Sequence, residues 1–180
     1  MLMNARESAL LVVDVQERLL PHVHDWQRLL ENVEWLVKVA QKLGVPVMAS
    51  EQYPKGIGRT HADVAALLPA GATVEKLHFS CVAAQCLAPL AAYAKPQIVV
   101  CGIESHVCVL QTALDLKRQG KDVFIVADAV GSRSPADKAL ALERMRGHGI
   151  VVVSREMAAF EWLHEAGTPV FKEISRDFLR

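Results

Sequence analysis

Short, uninterrupted apolar runs separated by amphipathic stretches constrain this chain more than any other feature. The first, Ala9-Leu10-Leu11-Val12-Val13, has no polar alternation and ends on Asp14. A strand with one wet face alternates polar and apolar residues, so a continuous run marks a strand covered on both faces, as in a parallel sheet. Further runs at Val45 to Ala49, Thr73 to Leu77, Gln97 to Cys101, Asp122 to Ala127 and Ile150 to Val153 bring the expected strands to six.

The stretches between them read as helices. Leu29, Leu30, Val33, Leu36, Val37 and Ala40 recur at steps of three and four, with Asp25 as N-cap and Gly44 past the end. Helices are likewise expected over Ala62 to Leu68, Val82 to Tyr93, Val107 to Gln119 and Glu156 to Ala166. Ser134-Pro135-Ala136-Asp137 supplies a capping hydroxyl, a proline at the first helical position and an acid, opening a helix to about Arg146. Strands alternating with helices at this spacing describe a three-layer α/β/α Rossmann-like fold with a six-stranded, mostly parallel sheet. At 180 residues the chain is expected to be one domain spanning 1-180.

Composition narrows the partners. Twenty Lys and Arg cancel twenty Asp and Glu, and no basic run exists, so the electrostatic footprint needed for nucleic acid or an anionic membrane surface is missing. No apolar run approaches the roughly 18 to 20 residues that cross a bilayer. The first residues carry acids and lack a long apolar block, unlike a signal peptide, so a cytoplasmic location is expected. Cys81, Cys86, Cys101 and Cys108 form no C-x-x-C pair and are expected to be reduced thiols.

In such sheets ligands bind beyond the carboxyl ends of the strands, which directs attention to Asp14, Glu51, Lys76, the Gly102 to Cys108 segment and Asp128. Cys108 sits in the first turn of the expected fourth helix, where backbone N–H groups and the helix dipole favour a thiolate. Its alternative role is packing, since cysteine is among the most buried residue types. Asp14 is either a catalytic acid or a structural acid paired with a cation, and Lys76 alone would be a solvated lysine. Together they form an acid/base, a charge stabiliser and a nucleophile from three strand ends. The stretch Gly56 to His61 departs from a dinucleotide fingerprint, with His61 where the third glycine belongs, and reads as a flexible lid.

Gly102-Ile103-Glu104-Ser105-His106-Val107-Cys108-Val109, followed by Gln111-Thr112-Ala113-Leu114-Asp115 and Val126-Ala127-Asp128-Ala129-Val130, closely resembles the isochorismatase-like cysteine hydrolases. Leu11 to Gln16, Glu51 to Gly56, Lys76 with Phe79-Ser80, and Phe171 to Ile174 extend the resemblance over nearly the whole chain. The subgroup it resembles most is that of the isochorismatase-domain-containing proteins.

The resemblance implies a catalytic triad of Asp14, Lys76 and Cys108, a cis peptide between Ile103 and Glu104, and an oxyanion hole from the backbone N–H groups of Glu104 and Cys108. Gln16, Leu19, Glu51, Gln52, Tyr53 and Phe79 are the expected substrate-pocket residues. True isochorismatases lack the cysteine, so Cys108 points to acyl transfer. Nicotinamidases carry D-x-H after the second strand, where this chain has Ser50-Glu51-Gln52-Tyr53, so no metal and no other cofactor is expected. The expected activity is a metal-independent cleavage of a small carboxamide or related C–N bond through a cysteine thioester, by a homo-oligomer. The competing reading is an oligomeric protein with weak or no catalysis that acts mainly through protein partners.

Overall fold

A computed structural model describes residues 1–179 of the chain. The elements run β1 (Ser8–Val13), α1 (Trp26–Lys42), β2 (Val47–Gln52), α2 (Pro54–Ile57), α3 (Ala62–Ala65), β3 (Thr73–Lys76), β4 (Gln97–Ile103), α4 (Leu110–Arg118), β5 (Asp122–Gly131), α5 (Pro135–Gly147), β6 (Val151–Val153), α6 (Arg155–Leu163) and α7 (Pro169–Phe178). The six strands form one sheet in the order β3-β2-β1-β4-β5-β6. Every ladder in it is parallel, where the sequence suggested only a mostly parallel sheet.

The continuous apolar runs fill both faces by simple alternation. Leu10 and Val12 of β1, Val99 and Cys101 of β4, and Phe124 and Val126 of β5 point to a core shared with α1, α6 and α7. Ala9, Leu11 and Val13, with Ile98, Val100, Val123 and Ile125, point to a second core under α4 and α5. Each fully buried Val, Leu or Ile contributes about 1.5–3 kcal/mol of transfer free energy, so the two cores hold the sheet in the middle layer.

Five local expectations need correction, the first being the helix expected over Ala62 to Leu68, which closes at Ala65. Asp25 stands at the start of α1, but its backbone is left-handed and its carboxylate caps nothing. Val82 to Tyr93 is a chain of turns with a short 3-10 helix at Ala91–Ala94. There the Ser80 hydroxyl accepts from the amides of Val82 and Ala83, Gln85 takes a positive φ of 54°, and Pro89 interrupts any further helical ladder. The helix expected from Val107 begins earlier as a π turn, Ser105–Val109, before α4. The last expected helix ends at Leu163, and α7, absent from the sequence reading, follows; Thr168 caps it by accepting from the Phe171 amide.

Candidate active site

Strand order reverses between β1 and β4, the neighbours at the centre of the sheet, and both carry a candidate group just past their carboxyl ends. Gly102 makes their close approach possible. Its φ is +111°, and a Cβ there would lie 2.1 Å from the Val13 carbonyl oxygen, immediately before Asp14. Only glycine fits both conditions.

Asp14, Lys76 and Cys108 converge in one buried cluster. The Asp14 and Lys76 side chains have no exposed surface, and Cys108 is 4% exposed. Lys76 ends β3 and donates from Nζ to Asp14 Oδ2 at 2.7 Å and to Gln52 Oε1 at 2.7 Å. Parallel register places Ser50 of β2 opposite Val13, and its hydroxyl donates to Asp14 Oδ1 at 2.6 Å. The Cys108 Sγ lies 3.9 Å from Gln52 Oε1, so Gln52 stands between the ammonium and the thiol. The peptide bond between Ile103 and Glu104 is cis, as the family resemblance implied.

Burial sets the electrostatics of this cluster. It raises the Asp14 pKa by more than Lys76, Ser50 and Cys108 lower it. For Lys76, burial opposes the charge, but the Asp14 carboxylate, Cys108 and Cys81 outweigh it and hold the ammonium above the ordinary lysine range. Cys108 departs from the sequence reading: burial first, and the Asp14 carboxylate second, push its thiol up, against a smaller opposing pull from Lys76. The resting group is therefore a thiol, and nucleophilic attack requires a base to take its proton.

The remaining candidate residues separate into distinct roles. Glu51 is buried, and its carboxylate accepts from the Thr60 amide and hydroxyl, both at 2.8 Å, and from Arg59 at 2.8 Å. The Gln16 amide bridges the Gln52 and Gly58 carbonyls and receives the Gln52 amide. The stretch expected to be a lid is thus tied to β2 through Arg59 and Thr60 and to Gln16 through Gly58. Leu19 packs into the α1-side core. Tyr53 lines a cavity of about 490 Å³ with Pro54, Lys55, Lys76, Leu77 and His78, while Phe79, 51% exposed, lies on the surface.

The Glu104 carboxylate pairs with Arg133 at 3.2 Å, and Asp128 accepts from the Arg155 amide. His61 Nδ1 accepts from the Asp63 amide. Among the described residues, no three His, Cys, Asp or Glu side chains gather into an ion-binding group.

Sequence reasoning missed three neighbours of the cluster. Ser50 was visible only through strand register, since no motif marks it. Cys81 is buried and acts electrostatically on Lys76 and Cys108. Ser105, at the start of the turn that carries Cys108, has a buried hydroxyl without a hydrogen-bond partner among the described residues.

Comparison with known proteins gives a consistent picture. The isochorismatase domain profile matches residues 8–157. Isochorismatase domain-containing protein 2 of Danio rerio is 34% identical over 177 residues, covering 97% of this chain and 88% of that protein. Isochorismatase domain-containing protein 1 of Danio rerio is 39% identical over 168 residues, covering 93% of this chain but 59% of its own length. Among solved structures, the MAR1 ribonuclease of Caenorhabditis elegans superposes with a TM-score of 0.91 at 32% identity, covering 100% of this chain and 93% of that one.

Proposed function

This chain belongs to the isochorismatase family, and from that premise we propose that it is a metal-independent cysteine hydrolase of small carboxamides or related C–N bonds. The observation that carries the proposal is the buried meeting of Asp14, Lys76 and Cys108, a carboxylate, an ammonium and a thiol from three strand ends. A buried ion pair is expensive to build and is a weak stability device, which favours a chemical role for it.

In this mechanism Asp14 takes the Cys108 proton as Sγ attacks the amide carbonyl carbon. The backbone N–H groups of Glu104 and Cys108 receive the developing oxyanion. The C–N bond then breaks, with Asp14 returning the proton to the departing nitrogen, and an acyl thioester remains on Sγ. Asp14 next deprotonates water for attack on the thioester, which releases the acid and restores the thiol. Lys76 keeps its charge throughout and stabilises the thiolate as it forms. Its raised pKa fits a fixed cation better than a proton donor.

The residues that would hold a metal are otherwise engaged: Glu51 by Thr60 and Arg59, His61 by Asp63. The cavity walled by Tyr53, Pro54, Lys55 and His78 adjoins Lys76 but is not lined by Asp14 or Cys108, so it supplies an approach toward the cluster rather than the reacting position itself. The solved relative from Caenorhabditis elegans is called a ribonuclease. Zero net charge and the absence of a basic run support a small substrate over RNA for this chain. Exposed Phe79, outside the cavity lining, supports a homo-oligomer, which sedimentation velocity would read directly.

The test is a panel of carboxamides, N-carbamoyl compounds and a short RNA, assayed for ammonia release and strand cleavage after dialysis against a chelator. The proposal expects ammonia from at least one amide without added metal. RNA cleavage without amide turnover, or activity that returns only with zinc, iron or manganese, contradicts it.

A further inference from the structure

Close to the proposed catalytic cluster lies a pair of thiols that the hydrolytic mechanism does not use. Cys81 and Cys86 belong to the turns that follow β3, the strand that presents Lys76. The Cys86 amide donates to the Cys81 carbonyl at 3.3 Å, folding the segment back on itself. The Cys86 thiol donates to the same carbonyl oxygen at 3.4 Å. The two cysteines are thus drawn together across one turn closed on the Cys81 carbonyl.

The segment is fixed to the helix that follows Cys108. Ser80 donates its hydroxyl to Asp115 at 2.7 Å, and the Cys81 amide donates to Thr112 Oγ1 at 3.0 Å. A small cavity of about 140 Å³ lies against this turn, walled by Cys81, Gln85, Leu87, Tyr93 and Gln119, although Cys81 itself is fully buried. That volume admits an oxidant the size of water, whose share of liquid volume is about 30 Å³.

We propose that Cys81 and Cys86 are a redox-modification site: a dithiol that closes to an intramolecular disulfide on reaction with a peroxide. Cys81 attacks the peroxide oxygen, the O–O bond breaks, and Cys81 becomes a sulfenic acid as water leaves. The Cys86 sulfur then attacks Cys81 Sγ and displaces a second water. One hydrogen peroxide is reduced to two waters, and the two thiols lose two electrons and two protons.

Which sulfur reacts first follows from the surroundings. The Cys86 thiol hydrogen bond, helped by the Lys76 charge, holds Cys81 below the ordinary thiol range despite its burial. Burial pushes Cys101 and Cys108 upward instead, so both stay protonated and respond slowly to oxidant. The dithiol accordingly intercepts peroxide before the proposed nucleophile does. The disulfide is reversible, whereas over-oxidation of a lone nucleophile to sulfinic acid is not.

The test reads sulfur chemistry alone, so its outcome is independent of the hydrolytic proposal. The whole protein is treated with hydrogen peroxide near neutral pH, quenched with iodoacetamide and mapped by mass spectrometry. The expected result is loss of two of the four alkylatable thiols, a Cys81–Cys86 linkage, an unmodified Cys108, and full recovery with dithiothreitol. In Cys86→Ser, which keeps a hydroxyl donor beside Cys81, the disulfide is absent and dimedone traps a sulfenic acid on Cys81; in Cys86→Ala, which removes the donor, the disulfide is absent and less sulfenic acid is trapped. Four intact thiols after treatment, a Cys81–Cys108 linkage, or oxidation of Cys108 ahead of Cys81 would each overturn the proposal.

Discussion

Asp14 Oδ2 and Lys76 Nζ stand 2.7 Å apart, with both side chains withdrawn from solvent. Neither charge is tolerable there without the other. Removing one partner of such a pair leaves an uncompensated buried charge and costs about 3–5 kcal/mol. Lys76→Met is therefore expected to lower unfolding stability by that order in a denaturant titration and to abolish turnover. A stability within 1 kcal/mol of the parent, an order set by ordinary exposed ion pairs, would contradict the assignment.

The pH profile follows from the same pair. Turnover needs Asp14 as a carboxylate, and its folded pKa lies above the ordinary 3.8 because of burial, so kcat/KM is expected to rise along an acid limb centred above 3.8. In the folded state Asp14 holds its proton more tightly than in the unfolded chain. Its contribution to stability is thus fully present below 3.8 and is lost as pH rises through the raised value. Lys76, raised above 10.5, contributes stability fully present below 10.5 and lost as pH rises through its folded pKa. An acid limb at or below 3.8 contradicts the placement of the base.

Glu51 behaves with the opposite sign. Burial opposes its charge, but the Thr60 amide, Arg59 and the Thr60 hydroxyl together hold its carboxyl below the ordinary 4.5. Its stabilisation is present above 4.5 and is lost as pH falls through the lower folded value. Arg59 is two-thirds exposed and adds little, so the two Thr60 bonds dominate. Glu51→Gln is expected to cost about 1–3 kcal/mol at neutral pH and to flatten the acid side of the stability curve. Unchanged melting across pH would count against this anchor.

Gly102→Ala places a methyl group against the Val13 carbonyl in a backbone conformation that L side chains rarely adopt. The strands must part at Asp14 to accept it. Thermal melting and amide turnover are both expected to fall sharply, whereas Gly147→Ala, whose new methyl group meets no neighbour, is expected to change little. Equal effects at the two positions would refute the close-approach argument.

Much of this organisation is legible in residues met one at a time. A five-residue apolar run closed by Asp14 announces a doubly covered strand, and Ser134-Pro135 announces the start of α5, whose cap the structure contains. Thr168-Pro169 carried the same kind of signal for α7 and passed unread. The Ala-rich segment after Cys81 misled, because alanine content says nothing of the Ser80 hydroxyl that captures two amides and turns the chain.

The site divides in the same way. Strand ends point to Asp14, Lys76 and Cys108, since topology gathers strand ends on one edge. Ser50 and Gln52 acquire their places from parallel register and side-chain reach, which single-chain patterns do not encode. The protonation of Cys108 depends on how deeply the neighbouring segments bury it. Its position at a helix start suggested a thiolate, and burial reversed that balance.

The central claim is that Cys108 carries the acyl group, and trapping that intermediate tests it most directly. With an amide identified in the panel, the reaction is quenched in acid within the first turnovers, and the protein is weighed intact and mapped. The account predicts a mass increase equal to the acyl group on Cys108, its absence in Cys108→Ser and Asp14→Asn, and its disappearance once substrate is exhausted. An adduct on another residue, or undiminished hydrolysis by Cys108→Ser, would contradict it.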